Sequence, residues 1–219
     1  MRMISVVCGV VLAAVLSGGC LRKEVVQTIY LAPGGTTWTV LEHAVRSDEK
    51  EAAERLLEEH DYSLAVGAGK HPAAQAFRQL GALSVTTTFL RRERPYTVMT
   101  EARFAGLREL ATAILRETGA QGDVSLVQSG CETRFAVRVD VDSPAAPVDP
   151  SVGNGALDAL ATDLGDYRFV LATGRFTAAD GFRILDEGTI AVWDEKKAAA
   201  DGVLTLALSW ADEGCMAKR

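Results

Sequence analysis

Few residues in this chain have the type and spacing to do chemistry. Three histidines, His43, His60 and His71, stand in no H-x-x-x-H or H-E-x-x-H relation, the spacing that puts two imidazoles over a metal on one helix face. No metal site is expected from them. His60 falls near the end of a helical pattern, where a cation meets the negative end of the helix dipole, and His71 precedes Pro72 at a helix start; both positions favour bland structural roles over catalysis. Gly69-Lys70 lacks the glycine five residues earlier and the Ser or Thr after the lysine that a P-loop needs, since Leu64 and His71 occupy those places. Ser63 lacks the G-x-S-x-G surroundings of a hydrolase nucleophile. Asp140 and Asp142 share one face of a predicted strand and, with Asp149, offer oxygen ligands to a cation such as Ca²⁺. No EF-hand spacing accompanies them, and the solvated face of a half-buried strand accounts for them better. The tip formed by Arg91, Arg92, Glu93 and Arg94 suits anionic headgroups or a partner carboxylate, but equally discourages pairing at a strand edge. No catalytic residue, metal ligand or cofactor is assigned.

Aromatic residues give a different lead. Trp38, Trp193 and Trp210 fall on predicted strands, as do Phe89, Tyr96, Phe104, Phe135 and Phe169. Large aromatics dominate buried area, so most of these are core. Where a sheet face curves around them without a helix lid, the same residues line an apolar groove, and such a groove is the default ligand site. Trp38, Tyr96, Trp193 and Trp210 are the candidate ligand contacts.

Composition limits the partners. The chain has 219 residues, is 48% hydrophobic and 24% charged, and carries a net charge of −6. These are values of an ordinary globular protein. The acidic balance offers phosphate no broad basic surface, so nucleic acid is not an expected partner.

The elements that must position these residues read as hairpins and helices. Residues 26–31 and 36–42 flank Gly34-Gly35, a hairpin signal. Ser47 can cap a helix whose Ala53, Leu56, Leu57 and Leu64 form one stripe, expected to face inward. A short helix follows Pro72 and stops at Gly81. Strands over 83–90 and 96–104 form the clearest hairpin, and Leu107, Leu110, Ala111 and Ile114 define a helix over 105–118 that should cover one sheet face. Residues 124–127 and 134–142 form another hairpin, with Phe135, Val137 and Val139 on its buried face. Pro144, Pro147 and Pro150 mark 143–151 as a linker or crossover. A small helix over 156–164 follows, then strands over 167–172 and 182–185, a turn at 186–188, a strand to Trp193 and a last strand over 203–210. The expected fold class is α+β: an antiparallel sheet built from hairpins, with three to five helices packed on it.

The first residues read as an address. Arg2 supplies a positive charge, residues 4–16 are an apolar stretch too short to span a bilayer, and Ser17-Gly18-Gly19 lead to Cys20. Leu16-Ser17-Gly18-Gly19-Cys20 resembles the bacterial lipobox. That resemblance implies a signal peptide over 1–19, lipidation of Cys20 with diacylglycerol and a further acyl chain such as palmitate, a tether over 20–25 and one globular domain over 26–219. Leu21, where an Asp would mark inner-membrane retention, implies the outer membrane, facing the periplasm. Cys131 and Cys215 are then the two thiols left in an oxidising compartment, which suggests a disulfide but leaves two separate thiols open.

The run Phe169-x-Leu171-x-x-Gly174-x-Phe176, Gly181, then Gly188-x-Ile190-x-Val192-Trp193, taken with the lipobox and the strand–helix–hairpin body, resembles uncharacterised bacterial lipoproteins that include the LppM-type domain. The resemblance implies an envelope protein and transfers no catalytic residue. The sequence therefore reads as a lipid-anchored, non-enzymatic cell-envelope protein that binds an envelope component. The alternative is a carrier or sensor of a hydrophobic ligand, which a sheet fully sealed by the helices over 105–118 and 156–164 would exclude. A hydrolase with a nonlocal site around His43 or His60 ranks third.

Overall fold

The computed structural model describes residues 21–140, 167–193, 199–200 and 203–212. Its elements run β1 (Leu21–Ala32), β2 (Gly35–Ser47), α1 (Ala52–Gly67), α2 (Pro72–Gln79), β3 (Ser84–Arg91), β4 (Tyr96–Phe104), α3 (Leu107–Thr118), β5 (Gly122–Ser129) and β6 (Glu132–Asp140). They continue with β7 (Tyr167–Leu171), β8 (Arg175–Asp180), β9 (Phe182–Leu185), a 3-10 turn (Asp186–Gly188), β10 (Ile190–Trp193), β11 (Ala199–Ala200) and β12 (Val203–Ala211).

Strands make up more than half of the described residues, and they form two sheets rather than one. The first has the order β3-β4-β2-β1-β7-β10-β9; the second has the order β11-β12-β6-β5, with β8 also paired to β12. The expected α+β fold, with three to five helices on a single antiparallel sheet, is thereby overturned: the protein is mostly β. The layer facing much of the first sheet is a second sheet, because the alternating faces of β5, β6 and β12 need an apolar partner as much as a helix stripe does. The first sheet is also mixed, since β1 and β7 pair in parallel. The helix over 156–164 and the linker over 143–151 lie outside the described residues.

Three further expectations change. β1 begins at Leu21, opposite Ser47 of β2, so residues 21–25, expected as a tether, are part of the sheet. β8 was not expected. It passes into β9 at Gly181, and this corner carries the chain from the second sheet to the first. Gly181 has φ +77°, and a Cβ there would sit 2.6 Å from Leu206 Cδ2, so only glycine turns this corner without displacement. Finally, α1 is inverted. Leu56, Leu57 and Leu64 are exposed, while Glu59, Tyr62 and Val66 are buried against β2 and β3.

The main core lies between the inner face of the first sheet and a covering layer of α2, α3 and the second sheet. Ile29, Trp38, Val40, Ala102 and Phe169 come from the first sheet, Phe77 and Leu80 from α2 and the residue after it, Leu110 and Ala111 from α3, and Phe135 and Leu208 from the second sheet. A smaller cluster under α1 joins Val45, Tyr62, Val66 and Val98. The outer face of the first sheet carries threonines such as Thr86 and Thr88 and is solvated there.

An apolar cavity and a buried polar network

The amphipathic stripe on α3 seals less than it should. Leu107, Leu110, Ala111, Ile114 and Leu115 stand over Ile29, Trp38 and Phe169 of the first sheet and Phe135, Val137 and Leu206 of the second, and between them is a cavity of about 280 Å³. Among the described residues its lining is apolar throughout except for Thr118 and the hydroxyl of Tyr167. At the inner end Trp38, Leu110 and Phe135 are fully buried; at the other end Leu115 and Val139 are half-buried and Thr118 is exposed, so the cavity reaches the surface at the C-terminal end of α3. Gly119, with φ +67°, ends α3 at this mouth.

The geometry of the lining is fixed by the strands. Trp38 lies opposite Ile29 on β1 and Ala102 on β4, its ring tilts against Phe77 at 5.0 Å and Tyr167 at 5.5 Å, and its indole N–H donates to Gln27 Oε1 at 3.1 Å. With that donor satisfied, the ring presents only carbon to the cavity.

A second constellation lies under α1. A β-bulge at His43 and Ala44, where Ala44 has φ +53°, shifts the register of β2 against both neighbours. It directs Glu42 as well as Val45 inward. Glu42 Oε2 accepts from the Tyr62 hydroxyl at 2.5 Å and lies 3.1 Å from His71 Nε2, while Oε1 accepts from Lys23 Nζ at 2.7 Å. His71 Nδ1 is 3.4 Å from Thr100 Oγ1, which is 3.2 Å from Thr87 Oγ1. Burial pushes the Glu42 carboxyl up, but the His71 hydrogen bond and the charges of Lys23 and His71 outweigh it and hold the group at about 2. An ionised Oε2 can only accept, which places a proton on His71 Nε2. Burial first, then the charge and hydrogen bond of Glu42, push the Tyr62 phenol well above its usual value.

Hydroxyl, imidazole and carboxylate follow one another here as in a nucleophilic triad. Thr100, His71 and Glu42 are each no more than 3% exposed, so no substrate carbonyl reaches Thr100 Oγ1 in this conformation. The network is a polar strut joining α1, the start of α2 and four strands. A related pair sits one turn away on α1: Glu59 Oε1 accepts the Ser47 backbone N–H at 3.0 Å, and Arg94 Nε approaches Glu59 Oε2 to 2.7 Å.

The residues picked from sequence scatter. Trp38 lines the cavity, whereas Tyr96 stacks on Tyr62 at 6.3 Å in the smaller cluster and Trp210 meets Phe176 edge-on at 6.4 Å. Trp193 ends β10, and Cys20 and Cys215 lie outside the described residues. His43 occupies the bulge and His60 the exposed side of α1, so the two are not brought together; His71, read only as a helix start, is the buried histidine. Cys131 is disulfide-bonded, with its partner outside the described residues. Asp140 ends β6, and Asp142 and Asp149 are outside the described residues. The missed residues are Glu42, Glu59 and Tyr62, polar side chains whose burial no periodicity announces, and the cavity walls of α3 and β6, whose apolar spacing reads as packing.

No protein-family model matches this sequence, and no curated protein matches it. Among solved structures, the chain is similar to the NMR structure of the folded domain of Mycobacterium tuberculosis LppM, at 18% identity and a TM-score of 0.36, over 89% of this chain and 91% of that one.

Proposed function

We propose that this protein is a lipid-anchored, non-enzymatic binding protein of the bacterial envelope, favoured at the periplasmic face of the outer membrane, and that it holds a slim hydrophobic ligand in the cavity beneath α3. The cavity carries this reading. An apolar space of about 280 Å³ open at one end leaves its walls without the partner atoms that a close-packed core supplies. Water gains little there, because a buried water needs two to four polar partners. An alkyl chain or a ligand of similar width recovers the lost contacts, and the half-exposed mouth at Leu115, Thr118 and Val139 gives it a way in. The anchor rests on the lipobox-like run ending at Cys20 and adds membrane residence.

The test is an intact mass of residues 21–219, secreted into an oxidising periplasm, recorded first under native and then under denaturing conditions. An apolar adduct lost on denaturation is the expected result. An adduct-free native mass, together with no uptake of added fatty acid or isoprenoid, overturns the carrier reading and leaves a binding module for an envelope protein.

A further inference from the structure

The leucines that α1 turns outward take part in neither the cavity nor the polar network. Leu56, Leu57 and Leu64 are 60%, 61% and 56% exposed. At 100° per residue, Leu57 and Leu64 fall within about 20° of each other and nearly opposite the buried face of Glu59, Tyr62 and Val66. Ala53 and the exposed His60 lie between them and Leu56, so the three leucines and Ala53 share one exposed helix face that His60 interrupts. Single exposed leucines are ordinary, but three on one helix face mark a contact surface.

Two observations identify what it contacts. The chain enters the sheet at Leu21, the residue after Cys20, and Leu21 pairs with Ser47, whose backbone N–H is held by Glu59 in the middle of α1, and packs against the cluster of Val45, Tyr62 and Val66 under that helix. The residue that follows the acylated one is thus on the α1 side of the sheet. Second, Glu54 and Asp61 border the leucines, which disfavours a strongly anionic surface. Apolar depth beside the acylated end and little net negative charge together describe a zwitterionic phospholipid bilayer.

We infer that α1 lies with its leucine stripe in the interface of the bilayer that the acylated Cys20 enters, so that the domain is held flat on the membrane and does not swing on its anchor. This inference rests on the lipidation proposed above.

The test places a nitroxide at position 57 (Leu57→Cys), or on the solvated sheet face at position 86 (Thr86→Cys) as a control, in the full lipidated protein. The labelled protein is reconstituted in vesicles of phosphatidylethanolamine with a minor share of phosphatidylglycerol. Collisions with a water-soluble nickel complex should be roughly five-fold rarer at position 57 than at 86, and collisions with oxygen more frequent, as for an interfacial helix. Equal nickel access at the two positions overturns the inference, as does protection of position 57 in native envelope fragments but not in vesicles, which would assign the stripe to a protein. An intact mass of the same sample separates the two claims. Acyl chains on Cys20 with an accessible position 57 defeat only the docking of α1; an unacylated Cys20 defeats the anchor.

Discussion

Leu57 and Glu59, two residues apart on α1, occupy the reverse of the places their side chains would choose: the leucine is 61% exposed and the glutamate 2% exposed. The exchange has a local cause. Glu59 satisfies two groups at the end of the first sheet, the Ser47 N–H and the Arg94 guanidinium, and two residues of offset on a helix put Leu57 on the far side. Tyr62, one turn on, reaches Glu42 from the same face. The polar network thus sets the rotation of α1, and the leucine stripe follows from it.

Replacing Glu59 by leucine should therefore destabilise the protein although it adds an apolar group to a buried site. The Ser47 N–H would lose its partner, at a cost of about 1–3 kcal/mol, and the half-exposed Arg94 would turn to water. We expect about 2 kcal/mol of lost stability for Glu59→Leu, against less than about 0.5 kcal/mol for Leu57→Ser, as for surface substitutions in general. Urea midpoints at constant slope measure both. A larger loss from Leu57→Ser than from Glu59→Leu would mean that the helix is held by its leucines.

Much of the β framework was legible in the sequence. The β3–β4 hairpin followed from its alternation, α3 from its 3–4 spacing and its glycine stop, and the β1–β2 hairpin from Gly34-Gly35, because each of these signals is local. The layer opposite the first sheet was not legible, since it depends on β8, β6 and β12 meeting across long sequence separations. Nor was the face of α1: periodicity located the stripe of Ala53, Leu56, Leu57 and Leu64 correctly, but burial was decided by Glu59 and Tyr62, whose partners lie 12 and 20 residues away. Of the candidate ligand contacts whose side chains are described, Trp38 reaches the cavity and Tyr96 and Trp210 do not, because an aromatic on a strand has two faces and two ends to choose from.

Glu42 makes stability depend on acid pH. Its carboxyl sits at about 2 in the folded chain against 4.5 for an ordinary glutamate. A carboxyl depressed on folding stabilises the protein above the ordinary value and loses that contribution as pH falls through the folded one. On the order of 3 kcal/mol is at stake, from ~2.5 pH units at 1.36 kcal/mol each. Glu42→Gln should be less stable than the parent at pH 5, and the gap between them should close by pH 2. Denaturant titrations at pH 5, 4, 3 and 2 follow it; a gap that stays constant would show that Glu42 is not the group titrating.

The strand register brings the end of β12 beside Cys131, which is disulfide-bonded. β12 ends at Ala211, opposite Glu132, the residue after Cys131, and Cys215 follows four residues later in the sequence. We predict a Cys131–Cys215 bridge. Reduction of the denatured secreted chain should add two hydrogens, and Cys131→Ser and Cys215→Ser should each lower stability by about 2–5 kcal/mol, as for native disulfides in small secreted domains. A mass unchanged by reduction, or a loss in one variant only, excludes the bridge.

The cavity offers a test in which stability and occupancy move in opposite directions. Ala111 lies on α3 at the cavity wall, where a larger side chain would point into the void. In a close-packed core Ala111→Phe would cost about 1–3 kcal/mol or more through overpacking. Over a void of this size the ring instead gains contacts, because a surface with no partner atoms has forfeited its dispersion energy. We expect Ala111→Phe to keep or raise the melting temperature of the ligand-free protein and to abolish the adduct expected in the native mass. Retention of the adduct would place the ligand elsewhere, and a fall in melting temperature would mean that α3 is packed too tightly on the sheet for the site to exist.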